Sequence, residues 1–553
     1  MLLEDQIPRI QKLISEKLGG LPKNAIHNDM VMRTTFMRLH RMLPRFIRIA
    51  VGEATFVEFC MANRDRLLSF KGAVQERMQE TENETEAGDV DQQKDEMEKK
   101  MKELKELSHK VYLPTYPPKP MVLERSRGAV IWDLEGKDYI DFGAGIAVSS
   151  LGHQDPELLL AISEQASKLW HTSNLFLTEP PVRLAAELVD ASFADRVFFC
   201  NSGAEANEAA IKLVRKYAYL EHPEDKREIL SFDGSFHGRT LATVTATSQP
   251  KYQEGFGPLP GGFRYAAYND FEEAEKAIGP QTCAVLVEPL QGEGGVNPAR
   301  PGFLKHLREL CDRHQALLIF DEIQCGMGRT GKLFAHEWEE GVVPDVLTLA
   351  KALGCGLPIG AMLCSEKVSQ AFKPGDHGTT FGGNPIVASV ARAALKKINT
   401  PQMMAHILKQ GEAIRGRLHS LNDELNLFGE IRGKGLMLGG VLHEAWKGRA
   451  GEIVSTALNH GVLILVAGPD VVRLVPPLTI TGDEVQTGLE RLTKALKELA
   501  PHCERLAIPH AHLQKLKRRH RAKGRKEAIV KAREALPRSR LVATNVLVAL
   551  ARR

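Results

Sequence analysis

From Met121 onward, short apolar runs alternate with stretches whose apolar residues recur every three or four positions. The runs at residues 196–200, 228–232, 283–288, 316–321, 345–350 and 360–364 have the length and β-branched content of strands. Residues 205–217 and 301–314 between them carry the helical period. Strands that are apolar almost throughout, separated by helices, predict a mostly parallel sheet buried on both faces. Ahead of it, residues 130–133 and 139–142 flank a turn at Gly136 and predict a hairpin. Beyond Phe381 the pattern is helical over 386–421, and strands follow within 429–442 and 461–477. The reading is an α/β fold with a large sheet domain and a smaller α/β domain.

The flanks differ. Ile7, Ile10, Leu13, Ile14 and Leu18 follow helical spacing up to Gly19-Gly20, and the helical pattern resumes from Phe56. Residues 30–50 are basic and apolar. They fit a nucleic-acid or partner-binding module or, the plainer reading, a helical appendage with a solvated basic face. Residues 76–96 are acidic and poor in aromatics, which predicts a linker. Residues 94–110 alternate Lys and Glu around Met97, Met101, Leu104 and Leu107, the pattern of an amphipathic helix. Prolines 114, 117, 118 and 120 then break the chain. The expected divisions are a helical extension (1–78), a linker and charged helix (79–110), an entry segment (111–175), a large domain (176–385), a small domain (386–500) and a basic extension (501–553).

Composition narrows the class. The chain has 553 residues, 43% hydrophobic and 26% charged, so a soluble protein of more than one domain is expected. Eight cysteines with no Cys-x-x-Cys pair argue against a disulfide framework or a structural zinc site and for a reducing, cytoplasmic setting. No metal is expected. The acidic start lacks a secretory pattern, and no apolar run reaches the roughly 20 residues that span a bilayer. The net charge of +4 is small, but residues 515–540 hold twelve Lys or Arg against two Glu. Without interleaved aromatics, that tail offers nothing for base stacking, so a solvated tail is favoured and nucleic acid is not the expected partner.

Candidate chemistry gathers where predicted strands end. Lys351 closes one apolar run. A lysine there is either snorkelling at a loop edge or held in a site that lowers its pKa, as a Schiff-base lysine requires. Ser202-Gly203-Ala204 opens a helix after a strand, an arrangement that offers backbone N–H groups to a phosphate. Phe236 and Arg239 follow another strand; one could stack on a flat ring and the other clasp a carboxylate, or they could be a core residue and a surface ion pair. Glu288 and Glu293 lie in a Gly-rich stretch. Asp321 ends a strand, where α/β proteins bind ligands, and opposite a pyridine nitrogen it would keep that nitrogen protonated. Residues 377–385 form a further Gly-rich turn with hydroxyls.

In this order the motifs Asn201-Ser202-Gly203-Ala204-Glu205-Ala206-Asn207, Phe236-His237-Gly238-Arg239, Asp321-Glu322-Ile323-Gln324 and Lys351 resemble the class III aminotransferases, pyridoxal-phosphate enzymes of fold type I. The resemblance runs from about Val111 to Leu499. It is nearest the acetylornithine and succinylornithine branch, through residues 170–176, 325–331 and 466–473. It implies that Lys351 forms the Schiff base, that Asp321 pairs with the ring nitrogen, and that Gln324 lies near the ring hydroxyl. It puts Ile323 and Phe236 on opposite ring faces, with Ser202, Gly203, Ala204, His237 and Glu288 also at the cofactor. Thr380 would reach the phosphate of a neighbouring subunit, hence a homodimer. Arg239 would bind a substrate carboxylate. Glu293 would pair with Arg473 for the diamino substrate and release it for the dicarboxylate. Asn174 and Phe176 would border the entrance. The implied reaction moves the δ-amine of an N-acylated ornithine to 2-oxoglutarate, in arginine metabolism. Ornithine, putrescine, 4-aminobutyrate and succinyl-diaminopimelate remain as alternative donors, and a non-catalytic regulator is the alternative of another class. Where many relatives carry three glycines after the lysine, this chain has Gly354-Cys355-Gly356.

Overall fold

The structure, a computed structural model, describes residues 36, 37, 40, 53–63, 89–117, 119 and 121–504. The chain divides into two compact units, Met1–Val122 and Leu123–Arg553. In the first, the helices Glu53–Ala62 and Asp89–Val111 are described. The second helix corrects one expectation: residues 89–96, assigned to the linker, are already helical. Its Gln, Lys and Glu residues are good helix formers, so it starts before the apolar stripe does. The other expectations for 1–78 and those for 505–553 lie outside the described residues.

In the second unit, seven strands form the main sheet: Arg196–Cys200 (β1), Glu228–Phe232 (β2), Phe263–Ala266 (β3), Thr282–Val287 (β4), Leu317–Asp321 (β5), Val346–Leu349 (β6) and Gly360–Cys364 (β7). Their order is β1-β7-β6-β5-β4-β2-β3, and β7 alone runs antiparallel to its neighbours. Every residue of β4, β5, β6 and β7 is buried. Alternation along the strands sorts them into two cores. Ile229, Ala284, Leu286, Ile319, Val346 and Met362 pack with Ala209, Leu213 and Val214 of the helix Gly203–Glu221. Leu230, Val285, Leu318, Phe320, Leu347 and Leu363 face the opposite side, with Leu304 and Leu307 of the helix Phe303–His314.

The hairpin forms as the sequence predicts, with Val130 opposite Ile140 around Gly136. Its strand Asp138–Asp141 also pairs with Val462–Leu463, tying the entry segment to the C-terminal part. The single helical stretch expected over 386–421 is two helices, Pro385–Ile398 and Pro401–Leu425. Asn384 and Thr400 cap them by accepting from Val387 N and Met403 N, and each has Pro at its start. Residues 429–442 and 461–477 are likewise divided. Phe428–Lys434 and Met437–Leu442 form a hairpin, joined to Val471–Leu474 and Leu465–Val466 in one antiparallel sheet.

Candidate active site

A cavity of about 400 Å³ opens at the carboxyl ends of β4, β5 and β6. Its walls come from the turn before Gly203–Glu221, the loops after β2, β4, β5 and β6, and Val148 of the entry segment. Lys351 lines it directly after β6. The backbone there is strained: Lys351 has φ +38°, a value most side chains avoid. Burial pulls the ammonium pKa of Lys351 down, while the nearby carboxylates of Glu293, Asp321 and Glu288 partly restore it and Arg473 opposes it. No described residue accepts a hydrogen bond from its Nζ. A site-held amine, and not a snorkelling one, is what the geometry provides.

Asp321 ends β5 at 3% exposure. Its Oδ2 accepts from Asn207 Nδ2 at 2.8 Å and from His237 Nδ1 at 2.7 Å, and its Oδ1 accepts from Ile323 N at 3.1 Å. Ser202 caps the helix Gly203–Glu221 by accepting from Glu205 N at 3.2 Å. The first-turn amides of Gly203 and Ala204 have no described acceptor and border the cavity. A Cβ on Gly203 would lie 2.8 Å from Ile323 Cδ1, so only glycine lets the turn approach that wall. Phe236 and Ile323 line the cavity. Arg239 lines it too and forms no described ion pair; its guanidinium stacks 4.0 Å from the Tyr252 ring and 5.6 Å from Phe236.

Glu288 is nearly sealed, and burial pushes its carboxyl pKa up, with the Asp321 charge adding to the rise. It accepts from Phe236 N at 2.9 Å and Gly292 N at 3.2 Å, which fixes two loops at the rim. Gln324 links the cavity to a buried ion pair. Arg473, 2% exposed, binds Glu293 at 2.6 Å and donates to Gln324 Oε1 at 2.8 Å; Gln324 Nε2 donates to Glu293 at 3.2 Å. Burial would raise the Glu293 pKa, but the Arg473 charge and hydrogen bond and the Lys351 charge hold it below the usual range. The turn after the lysine carries Cys355 at φ +46°, where a side chain is costlier than glycine, and burial pushes its thiol up to about 12.

Thus Lys351, Asp321, Ser202, Gly203, Ala204, Phe236, His237, Arg239, Glu288, Ile323 and Gln324 share one cavity, with Glu293 and Arg473 behind Gln324. Asn174, Phe176 and Thr380 are not among its lining residues. Asn174 instead donates to the carbonyls of Thr379 at 3.2 Å and Gly382 at 3.0 Å, so their two segments meet. Sequence reasoning assigned no site role to the lining residues Val148, Asn201, Gly238, Ala350 and 356–359, or to the buried Asn207 and Thr348. The last two had a signal: each is a polar position in an otherwise apolar stripe or run.

The class-III aminotransferase sequence profile matches residues 111–496. The acetylornithine aminotransferase of Xanthomonas axonopodis pv. citri is 60% identical over 390 residues, covering 70% of this chain and 95% of that one. The succinylornithine transaminase of Salmonella paratyphi A is 53% identical over 394 residues, covering 71% and 95%. Among solved structures, the N-acetylornithine aminotransferase of Stenotrophomonas maltophilia superposes with a TM-score of 0.63 at 51% identity, covering 71% of this chain and 98% of that one. An ornithine aminotransferase of Toxoplasma gondii, described with PLP at its active site, superposes with a TM-score of 0.71 at 32% identity, covering 76% and 100%.

Proposed function

The chain belongs to the class-III aminotransferases, and from that membership we propose that it carries the δ-amine of N-acetyl- or N-succinyl-ornithine to 2-oxoglutarate. The products are the N-acyl-glutamate γ-semialdehyde and glutamate. Pyridoxal phosphate is the cofactor, and the cavity fits it. An amine of lowered pKa, a pinned carboxylate, free first-turn amides and two apolar walls all converge on one space. Lys351 would hold it covalently, Asp321 would face its ring nitrogen, and Ser202, Gly203 and Ala204 would take its phosphate. Bound there, it supplies an electron sink that lets a proton leave the carbon bearing the amine. Lys351 Nζ, its pKa lowered by burial, would take that proton and return it on the far side of the amine nitrogen. Phe236 and Ile323 exclude water from the ring faces.

The observation that carries the substrate reading is the buried pair of Arg473 and Glu293 behind Gln324. With Glu293 in place, Arg473 is neutralised and the site accepts a donor that has no carboxylate beside its reacting amine. With Glu293 swung away, Arg473 can receive the second carboxylate of 2-oxoglutarate or glutamate. Arg239 takes the other carboxylate. A donor screen with 2-oxoglutarate tests this. Turnover of acetylornithine or succinylornithine above free ornithine, putrescine and 4-aminobutyrate is expected, and a preference for one of the latter would overturn it.

The chain is read as a homodimer. Leu175, Phe176, Leu177 and Phe381 are more than 60% exposed in the single chain, a patch suited to a second copy. Thr380 lies beside this patch and off the chain's own cavity, which supports its service to the partner's phosphate, with Asn174 and Phe176 at the partner's entrance. Seven described cysteines are free, which supports a cytoplasmic setting. Among the described residues, no helix is long and apolar enough to cross a membrane.

A further inference from the structure

We infer that Thr348 and Asn207 are positioning residues that orient Asp321 in the cavity through a one-way chain of hydrogen bonds. The inference rests on the cofactor reading above. Asp321 and Thr348 are paired in register on the adjacent parallel strands β5 and β6. Both belong to the sheet face covered by the helix Gly203–Glu221. Asn207 comes from the second turn of that helix, and Asn207 and Thr348 are both fully buried.

The direction of each hydrogen bond follows from chemistry. Asn207 Nδ2 lies 2.8 Å from the backbone carbonyl of His237 and 2.8 Å from Asp321 Oδ2. A carbonyl oxygen only accepts, so the Asn207 group facing it is the NH₂. Its Oδ1 therefore faces Thr348 Oγ1 at 2.8 Å, and the hydroxyl is the donor. Thr348 thus fixes the amide, and the amide spends one proton on His237 O and the other on Asp321. His237 Nδ1 adds a second donor to the same Asp321 oxygen, while its own Nε2 is buried without a described partner. Oδ2 is then filled. Oδ1, which receives only Ile323 N, is the oxygen with an acceptor site to spare for the N–H of a protonated ring. Asn207 and Thr348 touch neither substrate nor cofactor; they act through Asp321.

Thr348→Val keeps the shape and removes the donor, whereas Thr348→Ser keeps the donor. Wild type and both variants, freed of cofactor, are titrated with pyridoxal phosphate, and the visible band is followed with pH. T348V should bind on the order of tenfold more weakly, as loss of an outer-shell partner commonly does. The pH midpoint of its band should also shift, because the ring nitrogen is held less well. T348S should restore both. A purely structural hydroxyl would lower thermal stability without moving the midpoint, so an unchanged midpoint in T348V overturns the inference while the cofactor reading stands. A wild-type protein that develops no visible band overturns both.

Discussion

Replacing Glu293 by Gln isolates the charge of the residue that neutralises Arg473. In the wild type, a dicarboxylate must displace Glu293 from a guanidinium 2.6 Å away that is 2% exposed. A hydrogen bond to a charged group contributes about 1.5–3 kcal/mol and a neutral one about 0.5–1.5 kcal/mol, so the substitution lowers the cost of displacement by about 1–2 kcal/mol. At about 1.4 kcal/mol per decade, E293Q should bind 2-oxoglutarate about 5- to 30-fold more tightly. The donor half-reaction should weaken, because Arg473 then presents an uncompensated charge to an incoming amine. Stopped-flow single turnovers of the two half-reactions read both effects from the visible band. Unchanged 2-oxoglutarate affinity alongside an unchanged donor half-reaction would refute the reasoning.

The same variant has a stability signature. The folded-state pKa of Glu293 is depressed, so its contribution is present above the unfolded pKa of about 4.3 and is lost as pH falls through the lower folded value. Wild type should therefore melt above E293Q at neutral pH, and the gap should close on acidification. A gap that is constant with pH would mean the pair is too solvated to matter.

Lys351→Ala should fold yet form no covalent complex with pyridoxal phosphate. In the wild type the rate of complex formation should rise with pH and level off below the ordinary lysine pKa of about 10.4, read by absorbance; a rise that continues to that value contradicts the burial effect. Mixing K351A with Thr380→Ala subunits should regenerate one intact site per hybrid dimer if Thr380 serves its neighbour, whereas a mixture no more active than its parents places Thr380 elsewhere. Gly203→Ala sets a Cβ 2.8 Å from Ile323, and Gly292→Ala sets one against the carboxamide of Gln324. With overpacking at about 1–3 kcal/mol, G203A should mainly weaken cofactor binding and G292A should mainly raise KM for 2-oxoglutarate; the reverse pattern would unseat both assignments.

The sheet was legible because its strands are buried on both faces and read as apolar runs, with helical periods between them. Boundaries were less legible where local signals compete. Residues 386–421 keep their helical period across Pro401, yet Thr400 caps a new helix there. The last strand of the sheet order, β2's neighbour Phe263–Ala266, escaped because its exposures of intermediate, exposed, exposed and buried reflect an edge. Much of the cavity lining was legible by motif, since Lys351, Asp321 and Gly203 each stand at a strand end or helix start. Asn207 and Thr348 were not, because a buried polar residue declares its role only when its partners are known. They lie 114 and 27 positions from Asp321 in sequence; the sheet register brings Thr348 beside it, and the helix Gly203–Glu221 packed on that face brings Asn207.

That register explains why so many functions converge on four residues. Asp321 is held by Asn207 and His237. Glu322, on the opposite side, accepts from His336 N at 2.9 Å and His336 Nδ1 at 2.7 Å. Ile323 fills the space that Gly203 leaves, and Gln324 binds Arg473 and Glu293. This loop is fixed by the helix Gly203–Glu221, by His237, by His336 and by the Arg473–Glu293 pair, all in the second unit. On the proposed reading, the carboxylate that would face the ring, the turn that would take the phosphate and the arginine that would bind a carboxylate therefore share one backbone reference. Displacing the loop at any point moves all three, so free-energy changes from substitutions around it should not add. The strained lysine lines the same cavity just after the neighbouring strand, where the pairing of β5 and β6 reaches Asp321 and Thr348. On the proposed reading, chemistry and specificity are thus adjusted from one place: Asp321 and Lys351 would set what bond is broken, and three residues beyond Asp321, Gln324 links Arg473 and Glu293 to the same cavity.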